Sequence, residues 1–126
     1  MYRNSGCRLA LMSALGLSLI GLLVGSPLWG DGGDPKKGEY WYHEAGCVNC
    51  HGKKGRGDGP SGATLNPKPA NYCTSTKHPT DALKIQMITE GGGSMGHSPD
   101  MPAWGGVLDK QAIVDIVAYI HTLCDK

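Results

Sequence analysis

The chain opens on a short basic stretch, Met1 to Arg8, followed by an apolar run from Leu9 to Val24 broken only by small residues and by Ser13 and Ser18. After Pro27, Trp29 and Gly30 the pattern changes to an acidic, Gly-rich DGGDP. Beyond it, three segments carry helical signals. Asp34-Pro35 reads as an N-cap with Pro at N1, and predicts a helix through KKGEYWYHEAG up to Cys47. Thr80 caps a second segment, in which Leu83 and Met87 repeat at i, i+4 and Ile88 extends the stripe. Gly91-Gly92-Gly93 stops it. A third helix starts near Asp109, with Ile113, Ile116, Val117 and Ile120 at i, i+3, i+4 and i+7 on one face. Two long loops separate these helices, Gly52 to Pro79 and Gly91 to Leu108. Loops of that length in a small domain are usually functional or wrapped round something. The pattern holds no internal repeat and no convincing strand.

The N-terminal pattern is that of a secretory signal: a basic start, an apolar centre and a small-residue boundary. The reading is a signal peptide over residues 1–30, cleaved after Gly30, although Leu28 is larger than usual at the third position before the cut. The rival is an uncleaved anchor, since Leu9 to Trp29 is uncharged and long enough to span a bilayer. Either way residues 31–126 form one domain on the far side of the membrane, which for a bacterial-type cell is the periplasm. Cys7 precedes the apolar run and is badly placed for a lipoprotein cleavage site.

Composition sharpens this picture. Of 126 residues, twenty are Gly, eight are Pro and none is Phe. A domain of roughly 95 such residues buries a limited core and needs a staple: disulfides, a metal or a cofactor. The net charge of +1 falls by two when Arg3 and Arg8 are removed with the leader, and no basic stripe suggests nucleic acid. One local basic cluster, Lys53, Lys54 and Arg56, stands out. Four cysteines lie outside the leader, Cys47, Cys50, Cys73 and Cys124, an even number in an exported domain.

Cys47-Val48-Asn49-Cys50-His51 is CxxCH, the signature of covalent c-type haem attachment. Two thiols add to the haem vinyl groups, and the spacing lets both sulfurs reach one macrocycle edge. His51 is then carried beneath the iron as the proximal ligand. A redox dithiol would sit in a βαβ pattern, which is not readable here. A zinc site would need a second pair, and Cys73 with His78 does not have a usual spacing. No catalytic triad, paired carboxylates or phosphate loop is visible; GRGDG lacks the Lys-Ser/Thr of a P-loop.

With CHGKKGRGDGPSGATLNPKP after the motif and MPAWGGVLDKQAIVDIVAYIHTL near the end, residues from about Asp34 to Cys124 resemble a class I c-type cytochrome of the small bacterial monohaem type. The resemblance implies an all-α, cytochrome c-like fold: three main helices, with long loops wrapped round one covalent haem c. It implies that the first and last helices cross, with Tyr42 and Tyr119 as candidates for the contact. It implies Met101, which precedes Pro and Trp104, as the second axial ligand; Met95, His97 and Cys73 are the alternatives, while Met87 sits at core spacing. His51 needs an acceptor for its other ring N–H, and the Pro67–Pro69 turn supplies a carbonyl in that family, here assigned to Pro69. Arg56 and Trp104 are donors within possible reach of a haem propionate, against the blander reading of a solvent-facing Arg and a packed Trp. Cys73 and Cys124 depart from the family pattern; its topology brings them towards each other, so a disulfide is expected, with two free thiols as the alternative.

A filled sixth position leaves no site for substrate, so the expectation is a carrier and not an enzyme. It would shuttle single electrons between membrane respiratory complexes and periplasmic oxidoreductases. The rivals are a haem c subunit of a larger respiratory oxidoreductase and, with a weak distal ligand, a gas-binding haem sensor.

Overall fold

The computed structural model describes residues 32–74 and 79–124. The expected leader, Cys7 and His78 lie outside these residues. The described residues are helical, with no strand among them: α1 (Pro35–Glu44), α2 (Cys47–His51), α3 (Asp81–Glu90) and α4 (Lys110–Thr122), plus single 3-10 turns at Gly62–Thr64 and Gly93–Met95.

The expected first helix ends at Glu44, and the CxxCH beyond it forms a further short helix that was not expected. Asp34 starts α1 as foreseen, its carboxylate accepting from the amides of Lys36 at 2.9 Å and Lys37 at 3.4 Å. The chain then turns at Gly46, whose φ of 75° is left-handed and closes the helix path. The one-turn α2 begins directly after it and carries CVNCH as a helix separate from α1.

The packed half of the molecule is the crossing of α1 and α4. Gly38 makes the approach possible: a Cβ there would collide with the backbone carbonyl of Asp115 and lie 2.8 Å from the Cβ of Tyr119. Tyr42, fully buried, meets Tyr119 edge-on with ring centroids 5.3 Å apart, the contact that the resemblance implied. Asp115 is 2% exposed, yet satisfied: its carboxylate accepts from the Asp34 amide at 2.8 Å and from Gln111 Nε2 at 2.9 Å. The start of α1 is thereby tied to α4 by a hydrogen bond as well as by packing.

On α4 the stripe reads as expected. Asp109 caps it, accepting from the Ala112 amide at 2.7 Å, and Ile113, Ile116, Val117 and Ile120 are all buried. Each such side chain contributes about 1.5–3 kcal/mol by leaving water. The α3 stripe does not behave the same way. Thr80 accepts from the Leu83 amide at 3.3 Å and Gly91 ends the helix at φ 80°, as expected, but only Ile88 is buried. Leu83 is 43% exposed, and Met87 faces a cavity in place of the core. The reason is position: α3 has α4 along one side and the cavity along another, so a two-sided stripe finds protein on one side only.

Candidate functional site

The cavity measures about 790 Å³, within the range of cofactor sites. Its wall is drawn from all four helices and both long loops, and is mostly apolar: Tyr42, Leu65, Pro67, Ile88, Ile116 and Ile120 all contribute.

In α2, Cys47, Cys50 and His51 stand at i, i+3 and i+4 and so share one helical face. That face lines the cavity, with all three residues in the wall. Cys47 and Cys50 are free thiols. Burial pushes the Cys47 thiol up to about 11, which keeps it protonated at neutral pH. Burial also lowers the His51 imidazole, favouring the neutral ring whose nitrogen has a lone pair to offer.

The orienting acceptor for His51 is Ala70, not Pro69. His51 Nδ1 lies 3.4 Å from the Ala70 carbonyl oxygen. The Pro69 carbonyl lies against Gly57, where even a Cβ has no room, so the next carbonyl along the chain is the one that meets the imidazole. Pro69 itself remains in the cavity wall. The sequence reading also missed Tyr72, whose ring stacks on His51 at 5.0 Å and 16°. A single aromatic after a Pro-rich turn carries no periodic signal.

Arg56 is exposed and does not line the cavity. It sits between Gly55 and Gly57, both at positive φ, and Gly55 packs its missing side chain against Tyr72 and Leu123. The buried glycines hold the loop inward and leave Arg56 pointing to solvent. Trp104 does line the cavity, and its amide donates to the Ile88 carbonyl at 2.9 Å. The cationic side chains in the wall are Lys68 and Lys84, neither singled out from the sequence. Lys84 pairs with Asp81 at 3.0 Å, and Asp81 also meets His121 Nε2 at 2.8 Å.

Of the distal candidates, Met101 and His97 line the cavity and Met95 does not. Met95 belongs to the 3-10 turn Gly93–Met95, outside the wall. Met101 is half-buried against the core and held through its backbone. Its amide donates to Ser98 at 3.3 Å, and its carbonyl accepts from Gly92 at 3.0 Å. A Cβ on Gly92 would lie 3.2 Å from that of Met101, so the glycine stop of α3 also lets the ligand loop close on the helix end. Met87 joins the wall from α3, which the sequence assigned to packing.

Cys73 and Cys124 form the expected disulfide, with Cα atoms 5.2 Å apart, and both lie in the cavity wall. This removes Cys73 as an iron or zinc ligand. Two thiols on one helical turn, an oriented imidazole, a thioether from a second loop and apolar walls together fit a covalently attached haem.

The profile of the cytochrome c family matches residues 35–124. Over 93 residues the chain is 37% identical to the FixP subunit of a cbb3-type cytochrome c oxidase from Bradyrhizobium diazoefficiens; the match covers 73% of this chain and 28% of that protein. The chain thus spans under a third of that relative's length. No solved structure matches. The family match carries covalent haem c with it, and Cys47 and Cys50 stand beside His51 in the spacing that attachment needs.

Proposed function

We propose that this chain, which belongs to the cytochrome c family, is a single-electron carrier exported to the periplasm, with His51 and Met101 as the two axial ligands of its haem. The observation that supports this best is one cavity gathering the α2 thiols, His51 and Met101. Bound haem supplies a one-electron iron couple. The residues set its conditions. The Ala70 carbonyl accepts a hydrogen bond from His51 Nδ1–H, which would leave the other ring nitrogen free for the iron and raise its basicity. The Met101 thioether is a soft donor that favours ferrous iron and raises the potential. With both positions filled by the chain, small molecules are kept off the metal and only the electron crosses. Residues 1–30 act as the export signal in this reading, and the partners are membrane respiratory complexes and periplasmic oxidoreductases.

A second reading has support from the comparisons: a haem c subunit within a larger oxidase, as the FixP likeness suggests. The chemistry is the same, and the partner is permanent in place of transient. Protein-film voltammetry tests the carrier reading. The wild-type protein should give a reversible one-electron wave. Met101→Ala should lower its potential, while Met95→Ala leaves it unchanged. A Met95→Ala shift without a Met101→Ala shift would transfer the ligand assignment. Purification from the native membrane in stoichiometric complex with oxidase subunits would favour the second reading.

A further inference from the structure

We infer that Tyr72 is a positioning residue for His51, and that the Cys73–Cys124 disulfide beside it holds it there, so that the reduction potential of the bound haem depends on whether that disulfide is intact. This rests on the proposed ligation by His51.

Everything that orients the imidazole comes from one short stretch. Ala70 supplies the acceptor at 3.4 Å, and Tyr72 stacks on the ring at 5.0 Å and 16°. This stretch belongs to no helix. Its anchors are few. The Tyr72 amide donates to the Gly55 carbonyl at 2.7 Å, and the Cys73 amide donates to Asn71 Oδ1 at 2.9 Å within the stretch itself. Gly55 backs directly onto the Tyr72 ring: a Cβ there would lie 2.6 Å from it and 2.9 Å from Leu123. The covalent anchor is the disulfide, which bolts Cys73 to Cys124, two residues past the last turn of α4. It connects the loop that aims the proximal histidine to α4, the helix with the most buried side chains among the described residues.

Opening the bridge removes that connection. The S–S bond takes two electrons and two protons from a small dithiol, two thiols form, and the dithiol closes to its own disulfide. Cys124 is exposed and Cys73 half-buried, so the bond is within reach of such a reagent. Once freed, Ala70 and Tyr72 hold the imidazole less firmly. A weaker Nδ1–H···O bond makes the other nitrogen a poorer donor, which stabilises ferric iron less. The midpoint potential should therefore rise.

The test uses the mature haem protein. It is treated with dithiothreitol, alkylated with iodoacetamide, desalted and reoxidised, and its midpoint potential and ferric low-spin EPR spectrum are compared with those of untreated protein. Mass spectrometry should show two alkylated thiols, since Cys47 and Cys50 are thioethers. The expected result is a higher potential and an altered low-spin signal. Tyr72→Leu should move both in the same direction with the disulfide intact, and Tyr72→Phe, which keeps the ring, should restore the wild-type values. A potential unmoved by alkylation, or Tyr72→Leu equal to wild type, overturns the inference. Failure of the underlying reading looks different: an untreated ferric spectrum without histidine coordination.

Discussion

The α1–α4 crossing and the cavity wall are built from the same chain by different means. At the crossing, protein meets protein: Gly38 against Asp115, Tyr42 against Tyr119, and the stripe of α4 buried along its length. Around the cavity, apolar side chains of α3 and the two loops face a space of about 790 Å³, and the loops are held by backbone hydrogen bonds and one disulfide. The first region is stabilised by what the chain contains. The second is stabilised by what the chain binds. The haem is therefore the missing half of the core as well as the carrier of the electron.

The contrast predicts its own largest perturbation. Cys47→Ala with Cys50→Ala should abolish covalent haem, seen as loss of haem staining after denaturing electrophoresis. It should also remove cooperative unfolding, because the cost approaches a small domain's whole stability, about 5–15 kcal/mol. A variant that lost haem but kept a sharp thermal transition at the wild-type temperature would erase the distinction between the two regions.

Gly38→Ala strikes the other region. The added Cβ meets the Asp115 carbonyl, a backbone group that cannot swing aside. Overpacking of this kind costs about 1–3 kcal/mol, or a Tm lower by roughly 10 °C. The haem spectrum should be unchanged, since Gly38 does not line the cavity.

These two regions also differ in how well the sequence announces them. The α4 stripe, the Asp34, Thr80 and Asp109 caps and the Gly91 stop were legible because capping and periodicity are local. CxxCH was legible because covalent chemistry fixes its spacing. The break at Gly46 was not, since a glycine before a motif reads equally as helix or turn until its φ is known. Gly38 has no side chain to join a periodic pattern, although it sets the crossing. Leu83 and Met87 were placed in a core because a stripe signals burial without saying against what; here Met87 faces the cofactor cavity and Leu83 is exposed. The Pro69 assignment missed by one residue, the scale at which a turn selects which carbonyl points inward. Arg56 shows the same limit, because its direction is set by the glycines on either side.

A smaller effect belongs to the link between the two regions, where Asp81 at the start of α3 meets Lys84 of the same helix and His121 of α4. The Lys84 hydrogen bond holds the Asp81 carboxyl below the usual carboxylate range; burial opposes it, and the His121 hydrogen bond and the charges of both partners add to the lowering. A depressed native pKa gives stability that is present above the unfolded value, near 3.8, and is lost as pH falls through the native value. The Asp81 and His121 side chains are more than half exposed, so Asp81→Asn should cost under about 1 kcal/mol at pH 7 and nothing measurable once the carboxyl is protonated. Urea denaturation at pH 7 and near pH 2.5 checks both parts.

The smallest effect concerns docking. Lys53, Lys54 and Arg56 are exposed and follow α2 directly. If they steer an acidic redox partner, reversing all three charges should slow electron transfer at low salt and leave the high-salt rate nearly unchanged. An unchanged low-salt rate with every physiological partner would leave them as a solvated loop.

The central claim, that His51 and Met101 fill both axial positions, meets its most direct test in carbon monoxide. The absorption spectrum of the purified, dithionite-reduced protein should be the same before and after CO is added, whereas Met101→Ala should bind CO and shift its Soret band. A wild-type Soret band that moves on CO addition would mean an open iron, and the account of this protein as an outer-sphere electron carrier would be wrong.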